Sequence, residues 1–102
     1  MAFRVRITEG FEADLFDTLT YLSENLSAPM AAQRFMQGVD AAEALLVCQP
    51  FIHALSRKPH LRGSGCREHP VENYVVVYRV EGDEVVFLRL FHQRQLYDRV
   101  VP

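Results

Sequence analysis

No apolar run in this 102-residue chain approaches the roughly 18 residues needed to cross a bilayer. The start, MAFRVRITEGFEADL, carries charges where a signal peptide needs an unbroken apolar stretch. Cysteine is scarce. Cys48 and Cys66 have neither C-x-x-C spacing nor a secreted context, so reduced thiols in a soluble cytoplasmic protein are expected. The chain has no internal repeat, linker, P-loop or nucleophile elbow. Its four histidines lack the spacing of a zinc site, and no metal or other cofactor is expected. Lysine is nearly missing, with Lys58 the single example.

What is present is enough for one folded domain over residues 1–102, with 49% hydrophobic residues supporting a modest core. The net charge of −2 conceals an asymmetry. Residues 1–51 hold three arginines against seven acids, net −4, while residues 52–102 hold eight Lys/Arg against six acids, net +2. All four histidines also fall in the second half. An uneven split of this kind is compatible with two surfaces that meet different partners.

The segment FRVRI (3–7) alternates apolar and charged residues, the period-two pattern of a half-buried strand. Thr8 is placed to cap a helix whose apolar positions, Phe11, Leu15, Leu19, Leu22 and Leu26, fall on one face. NLSAPM breaks it, with Ser27 as a cap for a second helix over about 29–48. Phe35, Val39, Ala42, Leu45 and Leu46 form that helix's stripe, and small residues such as Ala31, Gly38 and Ala44 would let the first helix approach. The short connection makes the pair an antiparallel hairpin. Pro50, Pro59, Gly63 and Gly65 mark 49–65 as a connector, and CREHPV reads as a short strand limited by Pro70.

YVVVYRV and EVVFLRLF then form a hairpin about Glu81-Gly82-Asp83-Glu84. The order β-α-α-β-β-β is α+β: a helical hairpin on one face of a small, largely antiparallel sheet. If Gly82-Asp83 is a two-residue turn in regular register, one face carries Val75, Val77, Arg79, Val86, Leu88, Leu90 and His92. The other carries Tyr74, Val76, Tyr78, Phe87, Arg89 and Phe91. Both faces are apolar, and two helices cover only one. The second would be covered by a partner chain or by the protein's own 49–62 connector or C-terminal tail.

Polar residues gather around the last strand. His92, Arg94 and Tyr97 sit at or beyond its end, while Arg62, Arg67, Arg79 and Arg89 come from neighbouring segments. Arginine forks hold phosphate, and a histidine or tyrosine could move protons in metal-free RNA cleavage. Each residue also has a plainer role, such as Arg79 pairing with Glu81 or Glu84, or Tyr97 burying its ring.

Three stretches carry a family resemblance: EADLFDTLTYLSENLSAPMAAQRF, PVENYVVVYRV and VVFLRLFHQRQLYD. The chain resembles toxins of the RelE/ParE superfamily from bacterial type II toxin–antitoxin systems, from about Phe3 to Tyr97. Arg89, His92 and Arg94 match that family's arginine–x–x–histidine–x–arginine ending. The resemblance implies a growth-arresting toxin neutralised by a cognate antitoxin, a segment of which folds over it. Tyr74, Tyr78, Phe87 and Phe91 are then the expected antitoxin-binding face.

ParE-like members inhibit DNA gyrase, whereas RelE-like members cut mRNA on the ribosome. The RelE-like pattern of central lysines and arginines is not met. Lys58 lies in the connector, Val75 follows Tyr74 where an arginine is common, and Cys66-Arg67-Glu68-His69 replaces a lysine pair. A chain working among ribosomal phosphates is also expected to be basic, and this one has a pI near 6.0. A ParE-like gyrase inhibitor is therefore the leading expectation, with Arg89, His92, Arg94 and Tyr97 supporting its C-terminal surface. Under that reading the 97–102 tail meets the target. The RelE-like alternative assigns catalysis to Arg79, Arg89, His92 and Tyr97, aided by Glu68, with Arg62, Arg67 and Arg94 binding target or phosphate.

Overall fold

The computed structural model describes residues 2–25 and 28–98. The element order is β1 (Arg4–Ile7), α1 (Glu9–Thr20), a π-helical turn (Tyr21–Asn25), α2 (Pro29–Cys48), α3 (Pro59–Gly63), β2 (Cys66–Val71), β3 (Tyr74–Glu81) and β4 (Glu84–His92). The four strands form one sheet in the order β1-β4-β3-β2. β1 runs parallel to β4, and the other two pairings are antiparallel. The architecture is the expected α+β one. Among the described residues no helix is long and apolar enough to cross a membrane.

Local sequence accounts for most boundaries. The Thr8 hydroxyl accepts the Phe11 N–H at 3.1 Å, which caps α1 as expected. After Thr20 the helix widens into the π turn, which keeps Leu22 buried while turning Tyr21 to solvent. Ser27, the expected cap of α2, lies outside the described residues. Pro59, expected to stop regular structure, instead opens the short α3, because a proline's fixed φ suits a first helical turn. Leu61 of α3 is fully buried. Pro70 sits within β2, an edge strand, where a missing N–H donor is tolerated.

The main core lies between the helices and the sheet. Phe11, Phe35, Val39 and Leu46 meet Val76, Tyr78, Val85, Phe87 and Leu90, all nearly or fully excluded from solvent. Gly38 has a different use from the expected one. A Cβ there would come within 2.8 Å of the Val71 side chain, so this glycine lets α2 approach β2 rather than α1.

The hairpin turn is the expected one, but the register is not regular. Tyr78 pairs with Phe87, whereas Val77 pairs with Arg89, so β4 carries one extra residue. Beyond that bulge every side chain changes face. Leu90 joins the helix-side core and Phe91 leaves it for the opposite face. The expected patch of Tyr74, Tyr78, Phe87 and Phe91 is therefore divided. Tyr74, Tyr78 and Phe87 lie under the helices, with Tyr78 and Phe87 completely buried.

The protein's own chain closes the second face, rather than a partner. Leu61 from the connector, Cys66 and Tyr97 cover Val75, Val77 and Phe91. Phe91 and Tyr97 stack in parallel, with centroids 4.8 Å apart. The large apolar side chains left exposed among the described residues are Phe16, Tyr21, Met30, Leu96 and those of the 51–55 loop.

Burial sets the expected cost of mutation. Phe87→Ala is expected to lower stability in urea unfolding by about 3–5 kcal/mol. Phe16→Ala, at a side chain 59% exposed, should stay within about 0.5 kcal/mol. A Phe87→Ala loss no larger than that of Phe16→Ala would contradict the core described here.

Candidate functional site

The residues singled out from the sequence do not converge on one centre. On the sheet face opposite the helices, Tyr97 donates its hydroxyl proton to Glu68 Oε1 at 2.5 Å. Lys58 Nζ donates to the same oxygen at 3.2 Å, and Ser56 Oγ to the other at 3.1 Å. The Lys58 ammonium also lies 4.6 Å above the Tyr97 ring. Burial and then the Glu68 carboxylate push the Tyr97 hydroxyl above the ordinary tyrosine value. Burial works to lower the Lys58 ammonium, but its contacts with Tyr97 and Glu68 outweigh that and hold it above the ordinary lysine value. The cluster pairs one carboxylate with one ammonium and two hydroxyls, and it fastens the segment after β4 to β2.

Arg89 is held at the junction of β4 and α1. Its Nε and Nη2 donate to Asp14 at 2.7 and 3.0 Å, and the Leu90 N–H donates to the same carboxylate at 2.9 Å. The Asp14 partner raises the Arg89 guanidinium further above its already high value. The guanidinium also lies 4.9 Å from the centre of the Phe91 ring, which separates it from Tyr97. Arg79 is engaged at the other end of β3, donating to Glu81 at 2.7 Å and to the Ser64 carbonyl at 3.3 Å.

His92 sits at the end of β4 beside Tyr74, ring edge to ring face, with centroids 5.1 Å apart. Its Nδ1 accepts the Arg94 N–H at 3.1 Å, and its own N–H donates to Gln95 Oε1 at 2.6 Å. These bonds close the turn after the strand. The three arginines expected to bind target lie on separate elements. Arg62 is exposed on α3, Arg94 is exposed in the 93–95 turn, and Arg67 lies over Phe51 and donates to the His53 carbonyl.

Several contributors carried no sequence signal. Asp14 is one of four acids on α1, and nothing in its spacing sets it apart. Lys58 and Ser56 sit in a connector that reads as irregular. His53 and His69 meet at 2.8 Å between Nε2 and Nδ1, although sixteen positions separate them. Among the described residues no three His, Cys, Asp or Glu side chains gather as a metal site. Phe16 did leave a trace. It stands one position off the stripe of Phe11, Leu15 and Leu19, and with Leu15 and Leu19 it lines an open groove of about 550 Å³ rimmed by Glu12 and Glu24.

Two measurements test this geometry. Asp14 accepts from three donors, so Asp14→Ala is expected to cost about 1.5–3 kcal/mol in urea unfolding; a cost within 0.5 kcal/mol of zero, roughly the spread of a surface change, would contradict the arrangement. His69 responds to acid in a defined direction. Burial and then His53 lower its proton affinity, so the unfolded chain binds that proton more readily than the folded one. The His69 contribution is therefore full above the ordinary histidine value of about 6.5 and is lost progressively as pH falls below it. His69→Asn should flatten the decline in stability between about pH 7 and 5.5. An unchanged decline in the variant would remove His69 as its source.

Comparisons with known proteins agree on the fold. The chain superposes on a chromosomal ParDE toxin–antitoxin system from P. aeruginosa with a TM-score of 0.67 and 23% identity, covering 89% of this chain and 96% of that one. It superposes on the RelBE2 toxin–antitoxin complex from Mycobacterium tuberculosis with a TM-score of 0.64 and 22% identity, covering 90% and 99%. No curated protein matches the sequence significantly. A model of the ParE toxin of the type II toxin–antitoxin system parDE matches residues 5–97, nearly the whole chain, and the protein belongs to that toxin family.

Proposed function

We propose that this protein is a toxin that arrests growth by binding its target, DNA gyrase, rather than by cleaving RNA, and that a cognate antitoxin neutralises it. The observation that carries the reading is the state of the candidate catalytic groups. The Tyr97 hydroxyl is committed to Glu68, Arg89 to Asp14, and Arg79 to Glu81. His92 Nδ1 is occupied by its own turn. A general acid or base must reach the proton it transfers, and none of these four shares a site with another. A binding inhibitor needs surface shape instead, which such fixed side chains supply. The 99–102 part of the tail, expected to meet the target, lies outside the described residues.

The antitoxin is assigned to the groove on α1. Exposed Phe16 stands there with the partly buried Leu15 and Leu19, edged by Glu12 and Glu24, which suits an amphipathic segment with basic flanks. This replaces the aromatic face expected from the sequence. One feature keeps mRNA cleavage as the second reading: Glu68, Lys58 and Tyr97 lie together on the sheet face that the helices leave uncovered.

Induced expression with pulse labelling separates the two. Under the gyrase reading DNA synthesis falls first, purified protein inhibits supercoiling, and the double variant His92→Ala/Tyr97→Phe stays toxic if folded. A prompt fall in translation that the double variant abolishes would overturn it in favour of RNA cleavage.

A further inference from the structure

At the end of the sheet that carries His92, a second groove of about 460 Å³ opens between α1, the π-helical turn and the β2–β3 connection. Asp17, Tyr21, Asn73, Tyr74 and His92 line it. Tyr21 is 46% exposed, an unusual position for a tyrosine, and it stands on a π turn, a distortion common at functional sites. Tyr74 is partly buried against Phe35 and His92, and no hydrogen bond to its hydroxyl is present among the described residues. Tyr21 and Tyr74 thus contribute two phenol rings to a lining that Thr18, Leu22 and Gln95 complete.

Asp17 is the one acid among the lining residues, and no lysine or arginine lines the groove. Among the described residues its carboxylate, like those of Glu9, Glu12 and Glu24, has neither an ion pair nor a hydrogen bond. No lysine or arginine occurs between Arg6 and Arg34, so α1 presents acids alone. Arg34 is drawn to Glu72 at 3.7 Å, and Arg94 lies in a neighbouring depression with Asn73, His92 and Gln93. A phosphate would meet repulsion here, whereas a cation would be desolvated against rings beside a free carboxylate.

We propose that this groove receives an arginine side chain from a protein partner. A guanidinium is planar, so it lies against Tyr21 and Tyr74 while its fork reaches Asp17, with the Asn73 amide oxygen as a further acceptor. Lysine, a compact and strongly hydrated charge, uses such walls less well. The inference rests on the groove alone, so it holds for whichever partner presents the side chain and does not depend on the toxin reading.

The test is an NMR titration of the full chain at low ionic strength with N-acetyl-arginine amide as probe. Its neutral isostere, N-acetyl-citrulline amide, and putrescine serve as comparators. Saturable shifts confined to Asp17, Tyr21, Tyr74 and His92 are expected, with citrulline binding at least tenfold more weakly, roughly as loss of a cation–π contact and a charge-assisted bond implies. Asp17→Asn and Tyr21→Ser, both at exposed positions, should each weaken the arginine probe about fivefold without loss of fold. Equal binding of arginine and citrulline, or affinity unchanged in Asp17→Asn, would overturn the proposal. Putrescine binding as tightly as the arginine probe would overturn the assignment to a protein side chain.

Discussion

The position of Arg89 governs much of this fold. In a regular hairpin Arg89 would share a face with Phe87, and Phe87 lies in the centre of the core beneath α1 and α2. A charge there would be desolvated without water or a rigid partner, at a cost of several kcal/mol. The bulge removes that conflict by inserting one residue into β4 and moving Arg89 out of the core. A bulge leaves a ladder N–H unpaired, and Asp14 accepts the Leu90 N–H as well as both guanidinium bonds. Gly10 permits the approach, since a Cβ there would come within 2.9 Å of the Arg89 side chain. One carboxylate thus fixes the register of β4, the path of Arg89 and the seat of α1 on the sheet.

The same device decides what the surface offers. Beyond the bulge Phe91 faces away from the helices, where Tyr97 stacks on it and reaches Glu68. The segment after β4 is thereby fastened to β2, and Asp98 extends the attachment by accepting the Leu61 N–H. His92, Gln95, Tyr97 and Asp98 become structural ties, each with its own partner. On the outer side of α1 the groove at Phe16 stays open, apolar within and edged by acids, and a second, more polar groove opens beside Tyr21.

The sequence carried the architecture well, because periodicity reports which side of an element meets the core. The Thr8 cap, both long helices and the hairpin turn were all legible. The bulge was not. Arg89 between two phenylalanines was the trace it left, since a charge at a core-facing position demands an exception, but the spacing alone does not say where the extra residue falls. The site residues failed for a related reason. His92, Arg94 and Tyr97 are close in sequence, yet a turn sends His92 to Tyr74 and Tyr97 to Glu68, on opposite faces. Lys58 and Ser56 were invisible because their partners lie across a connector with no periodic signal.

The measurement that bears most directly on this account is the pairing of β3 with β4 in solution, read from cross-strand Hα–Hα and amide contacts by NMR. The account predicts Val76 opposite Leu90 and Val75 opposite Phe91, with Tyr78 still opposite Phe87. Val76 opposite Arg89 and Val75 opposite Leu90 would mean an unbroken register. It would return Arg89 to the helix-side face and contradict the account.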